Sequence, residues 1–273
     1  MTGRFTMDSR RRVIGGSLAA IGTLLLGGAA TAARAPATAA KLPDRPHPHP
    51  PPSPPAPSPL PVQQRPVFTL TDFRRVVPGP AFPDNAVALT IDDGPHPVWT
   101  PKVLRLLDKH HVPALFCMIG NQVLGHENVA RSVVNAGHQA ANHTWSHPTS
   151  LPHQPDDRVR QEIQRAQDKI YDTTGSRPTL FRSPGGGWSP GVFTAAAQAG
   201  MVPLDWSDDP RDWTQPGVAA ITNRLLAAKP GQILLCHDGG GDRSQTYTAL
   251  QTVIPALLAR GYQFVALDAR TSA

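Results

Sequence analysis

The sequence predicts an α/β fold: a parallel sheet of about seven strands closed into a barrel or near-barrel. Two observations predict it. From about residue 66 onward, short apolar runs alternate with segments of helical periodicity, the pattern that parallel sheets with crossover helices produce. Residues able to do chemistry also stand just past the ends of several apolar runs, where folds of this class place their sites.

The elements follow in chain order. Residues 86–91 (AVALTI) read as a strand. Thr100 followed by Pro101 predicts an N-cap with proline at the first helical position, opening a helix that runs to about residue 110. Residues 114–117 read as a second strand, and 127–136 as a helix stopped by Gly137. The segment 156–173 is a longer helix, with Val159, Ile163, Ala166 and Ile170 on one face. Residues 179–181 form a short strand, and Ser189-Pro190 opens a helix closed by Gly200. Strands are then expected at 201–204, 233–236 and 263–267, separated by helices near 218–228 and 246–260. Cys117 and Cys236 each end an apolar run, which reads as two small buried hydrophobes rather than a bridge.

The first 65 residues have a different character. Ser9-Arg10-Arg11-Arg12 ends a basic leader, residues 13–30 are uncharged, and Ala30-Thr31-Ala32 fits a cleavage site, with Ala37-Thr38-Ala39 as a second candidate. Arg10-Arg11 after Ser9 resembles a twin-arginine signal. Residues 1–32 are therefore expected to be an export signal. Residues 33–65 are expected to be a Pro-rich linker, since 41–61 alone hold 11 prolines and cannot pack apolar surface. His47 and His49 read as part of that solvated linker. Residues 66–273 make up the folded domain. The product is expected to be secreted or cell-wall associated and monomeric, with no stable membrane partner after cleavage. The net charge of +6 suggests nucleic acid at first sight. Half of that excess lies in residues 1–32, and the rest shows no basic run with interleaved aromatics, so nucleic acid is excluded as a partner.

Five segments carry chemistry. In Thr90-Ile91-Asp92-Asp93-Gly94-Pro95, strand alternation should turn the two carboxylates to opposite faces, so that one coordinates a metal while the other faces a bound water. In His143-Thr144-Trp145-Ser146-His147, two histidines four apart could share a metal on a helical turn. The absence of an intervening Glu argues against an H-E-x-x-H protease and leaves the base to Asp92 or Asp93. Arg182, before the turn Ser183-Pro184-Gly185-Gly186-Gly187-Trp188, could orient a carboxylate while backbone N–H groups face an oxyanion. The segment from Asp205-Trp206 to Asp212-Trp213 offers aromatic faces for sugar rings and carboxylates that could tune a neighbour. His237, at a strand end before Asp238 and Gly239, suits a general acid.

Taken together and in this order, TIDDGP, HTWSH, RSPGG, DPRDW and LCHD resemble the five motifs of the NodB-homology polysaccharide deacetylases, carbohydrate esterase family four. The likeness spans about residues 86–267. It implies a distorted (β/α) barrel and a hydrolase that removes N-acetyl groups from a GlcNAc-containing polysaccharide of peptidoglycan or chitin type. It further implies Asp93, His143 and His147 as ligands of a metal, usually zinc, with another divalent ion such as cobalt as a substitute. On the same likeness Asp92 is the base, Arg182 orients it, His237 is the acid, Asp212 tunes that acid, and Trp213 stands beside the acetyl pocket. Gly185 replaces an aromatic residue of the third motif. Its N–H can still face the oxyanion, but the ring that would shape the groove is gone. Asp238 and Gly186-Gly187 read as structural. The alternatives are O-deacetylation of acetylxylan by the same site, a non-haem iron oxygenase built on two His and one carboxylate, and a non-catalytic wall-binding module.

Overall fold

Helices and strands alternate along the chain in the computed structural model, which describes residues 58–269. The expected export signal and the linker as far as residue 57, including His47 and His49, lie outside the described residues. Helix α1 (Leu70–Val76) precedes β1 (Ala86–Asp92), and α2 (Trp99–His110) leads to β2 (Leu115–Met118). Then come α3 (Gly120–Val123), α4 (Glu127–Asn135), β3 (Gln139–Asn142), α5 (Asp156–Thr174) and β4 (Leu180–Phe181). The chain continues through α6 (Pro190–Gln198), β5 (Val202–Pro203), α7 (Val218–Leu226), β6 (Ile233–His237), α8 (Ser244–Ala259) and β7 (Gln263–Phe264). Among the described residues no helix is long and apolar enough to cross a membrane.

The sheet runs β5-β4-β3-β2-β1-β6, with β7 on the first residues of β1, and all these pairings are parallel. Its ends, β5 and β6, are stitched by irregular chain rather than a regular ladder. Leu204 bridges Val67, Thr69 bridges Gln232, and Asp208 bridges Leu234. The Ser207 N–H donates to the Ile233 carbonyl, and the Leu235 N–H to that of Asp208. This seam distorts the barrel as expected and places the segment of residues 205–213 beside β6.

Strand parity decides which side chains face the barrel interior. Val87, Leu89 and Ile91 of β1 pack outward with Val103 and Leu107 of α2 and Leu250 and Ile254 of α8. Ala86 and Ala88 point inward with Leu115, Leu180, Val202 and Ile233. All seven β1 residues are buried, as a central parallel strand requires. Continuing the parity, Thr90 and Asp92 belong to the interior face, and so do Leu235 and His237 of β6. Cys117 packs on the inner face and Cys236 on the outer, and both are free thiols.

Several sequence expectations need correction. Thr100 is not the cap of α2: Val98 holds that position with no side-chain hydrogen bond. The Thr100 hydroxyl is buried and committed elsewhere, accepting from the His96 N–H at 2.8 Å and donating to Asp238 Oδ2 at 2.5 Å. Ser189 does cap α6, accepting from the Val192 N–H ahead of Pro190. The strand β3, of sequence QAAN, carries little β propensity and arises from pairing with β2. Residues 58–65, assigned to the linker, form no helix or strand, yet the Leu60 N–H donates to the Ala197 carbonyl at 2.9 Å.

Candidate active site

The site is assembled where β1, β3, β4 and β6 end. Asp92 is the last residue of β1, and Asp93 follows it with φ 72°. That left-handed turn overrides strand alternation. The two carboxylates therefore do not part to opposite faces as expected. Both line one cavity of about 420 Å³, with His143, His147, His237, Gly185 and Trp213 also in its wall. Gly239 secures the turn from above: a Cβ there would collide with the Asp93 carbonyl oxygen, so only glycine lets the chain after β6 pass this close.

The expected helical turn for the two histidines is also absent. His143 and His147 lie in a loop after β3 in which Thr144 and His147 have positive φ. The loop still brings the rings together, with centroids 4.8 Å apart. His143 Nδ1 lies 2.8 Å from the Arg182 carbonyl oxygen, a contact that needs the proton on Nδ1 and leaves the Nε2 lone pair free. His143 Nε2 and His147 Nε2 approach Asp93 Oδ1 at 3.5 and 3.3 Å.

Asp93, His143 and His147 each offer a ligand atom, all within 4.8 Å of one another. Asp93 Oδ1 is buried without a hydrogen-bond partner among the described residues, a costly state unless a cation completes it. Two imidazoles and one carboxylate with an orphaned oxygen fit a divalent transition metal. Burial alone would raise the Asp93 pKa, but the close approach and charge of His143, with the charges of His237 and His147, hold it below the ordinary range.

Arg182, just past β4, is fully buried and reaches across the barrel interior. Its Nη1 donates to Asp92 Oδ1 at 2.6 Å and to Thr90 Oγ1 at 2.9 Å, and its Nη2 to the Asp205 carbonyl at 3.0 Å. One Asp92 oxygen is thereby fixed, and the other, Oδ2, lies 3.7 Å from His143 Nε2. On the opposite side His237 Nδ1 donates to Asp212 Oδ1 at 2.6 Å, while the His237 N–H and the Thr246 hydroxyl both donate to Asp212 Oδ2 at 2.8 Å. Burial opposes protonation of His237, but the bond and charge of Asp212 prevail and raise its pKa to about 9.

Gly185 has φ 63°, a conformation glycine adopts without strain, and its missing side chain opens onto Thr149. Trp213 is half exposed at the cavity mouth. Trp206 lies deeper, beneath Gly186 and near the Arg182 guanidinium. Trp188 turns away from the cavity. Its indole N–H donates to Asp205 Oδ2 at 2.9 Å, and its ring stacks on Phe193. Burial raises Asp205 to about 6 against that bond and the charge of Arg182. Asp238 is buried beneath Gly94 and bonded to Thr100, in keeping with its structural reading. All nine candidate residues thus stand in or directly behind one cavity. Sequence reasoning missed Arg243, Thr149 and Gly240 in the same wall, while Asp209 and Leu235 open two of the quoted motifs without a role of their own. For Arg243 a signal existed: the run Gly239-Gly240-Gly241 announces a tight backbone approach just before it.

This architecture and this constellation define a class. Residues 79–204 match the polysaccharide deacetylase family model. A peptidoglycan-N-acetylglucosamine deacetylase of Bacillus cereus is 40% identical over 188 residues, covering 68% of this chain and 87% of that protein. A chitooligosaccharide deacetylase of Sinorhizobium fredii is 39% identical over 202 residues, covering 70% of this chain and 94% of that protein. Among solved structures, a peptidoglycan N-acetylglucosamine deacetylase in complex with an N-oxidanyl-benzamide superposes with a TM-score of 0.66 at 31% identity, over 73% of this chain and 89% of that one. The chain belongs to the polysaccharide deacetylases, carbohydrate esterase family four.

Proposed function

We propose that this protein removes N-acetyl groups from a GlcNAc-containing polysaccharide of peptidoglycan or chitin type. The observation that carries the proposal is the flanking of one Asp-His-His trio by two differently partnered carboxylates, Asp92 on Arg182 and Asp212 on His237. The names of the relatives support the GlcNAc class.

A zinc ion held by Asp93, His143 and His147 would supply Lewis acidity toward water and the acetyl carbonyl. The chain's own groups do the rest. Asp92, with one oxygen fixed by Arg182, accepts the proton of the attacking water through the other. The Gly185 N–H faces the oxygen that gains negative charge as the carbonyl carbon becomes tetrahedral. His237, protonated at neutral pH, gives its proton to the departing amine as the C–N bond breaks, and acetate leaves. Trp213 offers its exposed ring to the sugar at the mouth.

The test is acetate release from acetylated chitooligosaccharides, peptidoglycan and acetylxylan, with and without chelator. Release from the N-acetyl substrates, lost on chelation and restored by zinc or cobalt, is expected. Release from acetylxylan alone would assign the site to O-acetyl esters, and full activity in excess chelator would overturn the metal reading. We also propose export by the twin-arginine route. Changing Arg10 and Arg11 together to Lys should retain the protein inside the cell, and normal export of that variant would reject the route.

A further inference from the structure

Arg243 precedes α8 and is only 5% exposed, yet among the described residues its guanidinium forms no ion pair with a carboxylate. Buried charges are ordinarily paired, because an uncompensated one is strongly destabilising. Two of its nitrogens are anchored on backbone: Nε donates to the Gly239 carbonyl at 2.6 Å and Nη1 to the Trp213 carbonyl at 3.4 Å. Nη2 has no hydrogen-bond partner among the described residues, and Arg243 belongs to the wall of the catalytic cavity. Gly240, with φ 72°, keeps that nitrogen uncovered, since a Cβ there would stand 3.0 Å from Nη2 and 2.9 Å from Asp93 Oδ2. The result is a largely buried cation in the wall of the catalytic cavity, held by two backbone carbonyls, with one donor that no described protein group takes up.

We propose that Arg243 is a recognition residue for a carboxylate in the catalytic cavity. The inference rests on the deacetylase reading for where substrate lies, but its chemistry comes from the unpaired guanidinium. A singly charged carboxylate suits the setting better than a phosphate dianion, because Asp92, Asp93 and Asp209 line the same cavity and repel the greater charge. Two sources supply such a group: an acidic sugar next to the acetylated one, and the acetate that the reaction itself releases. Asp93 does not fill this role, since it forms its contacts with His143 and His147 and none within ion-pair distance of Arg243.

The experiment compares the metal-loaded wild type, Arg243→Gln and Arg243→Lys in two arms. The first measures kcat/KM on a neutral GlcNAc oligomer and on a glycan of equal length with carboxylates on alternate sugars. The second measures acetate binding by calorimetry, which reads the site without turnover. Loss of a charge-assisted hydrogen bond should weaken the carboxylate arm about 10- to 100-fold in the Gln variant. A fall in the acidic-to-neutral ratio assigns the carboxylate to the glycan, and a loss of acetate affinity at constant ratio assigns it to the product. Lys keeps the charge but loses the clasp on two carbonyls, so it should lie between wild type and Gln. Equal losses on both glycans with acetate binding intact would show a structural clasp only, and overturn the proposal. If wild type deacetylates neither glycan yet binds acetate through Arg243, the deacetylase reading falls while the carboxylate site stands.

Discussion

Asp92–Arg182 and Asp212–His237 are built alike. Each joins a carboxylate oxygen to a cationic nitrogen at 2.6 Å, and both carboxylates are almost wholly buried. They differ in what the cation can do. A guanidinium never gives up its proton near neutral pH, so Arg182 can only donate to Asp92 and fix one of its oxygens. An imidazolium does give up its proton, so Asp212 turns His237 into an acid with a pKa of about 9. Position in the fold reinforces the contrast. Arg182 is 0% exposed behind the site, while His237 ends its strand at the cavity wall. One ion-pair geometry thus yields a proposed base and a proposed acid at the ends of the neighbouring strands β1 and β6, in the cavity that also holds the Asp-His-His trio.

The largest effect expected separates Asp92 from its neighbour. Asn is the suitable replacement at both positions because it keeps size, and at Asp92 it also leaves an oxygen for Arg182, where Ala would strand a buried cation at about 3–5 kcal/mol. Asp92→Asn should lose about 10²–10⁴ in kcat while keeping its metal, and should stay inactive across a zinc titration. Asp93→Asn should lose metal on dialysis and regain part of its activity in excess zinc. Metal content beside activity is the measurement. Loss of metal from the Asp92 variant with retention by the Asp93 variant would exchange the two assignments.

That pair also shows where sequence reasoning reached and where it stopped. The strand–helix alternation was legible because parallel strands and amphipathic helices imprint their periods on the chain, and α5 buries Val159, Ile163, Ala166 and Ile170 as read. The difference between Asp92 and Asp93 was legible only as a difference. Strand alternation was the wrong cause, since it cannot foresee a residue at φ 72° held down by a glycine 146 positions later. His143 and His147 suggested a helix by their spacing, yet two left-handed residues bring them together in a loop. Thr100 reads locally as a cap and is claimed instead by Asp238, which lies far along the chain. The residues read as candidates still converge on one cavity despite such errors, because chemistry selects residue identity, whereas backbone conformation is decided by distant contacts.

The next effect sharpens the acid side. His237→Ala should lower turnover on an N-acetyl sugar by about 10²–10⁴, because an amine is a poor leaving group without a proton. An acetyl ester with a good leaving group needs that proton far less. Its loss should be at least about tenfold smaller, read from kcat on both substrates with one enzyme preparation. Equal losses would mean that His237 serves binding or fold rather than proton donation, and the contrast with Asp92 would fail.

The smallest effect tests why the two pairs differ, through Asp212→Asn. Its amide oxygen can still accept from His237, so the ring should remain oriented, but the charge that favours the imidazolium is gone. Burial, which lowers the His237 pKa, then acts unopposed by its main partner, and the value should fall from about 9 toward or below the ordinary 6.5. The sign follows directly: His237 works protonated, so activity should decline with rising pH above about 9 in wild type and from a lower pH in the variant. At pH 6 the two enzymes should differ least, and at pH 8 most. Stability should move in the same window. The pair stabilises the fold fully below the unfolded His value of 6.5 and loses that contribution as pH rises through about 9, so the difference in melting temperature between wild type and variant should be greatest in mild acid and shrink in base. A basic limb that stays in place in Asp212→Asn would show that the limb belongs to another group, and that Asp212 holds the ring without setting its proton.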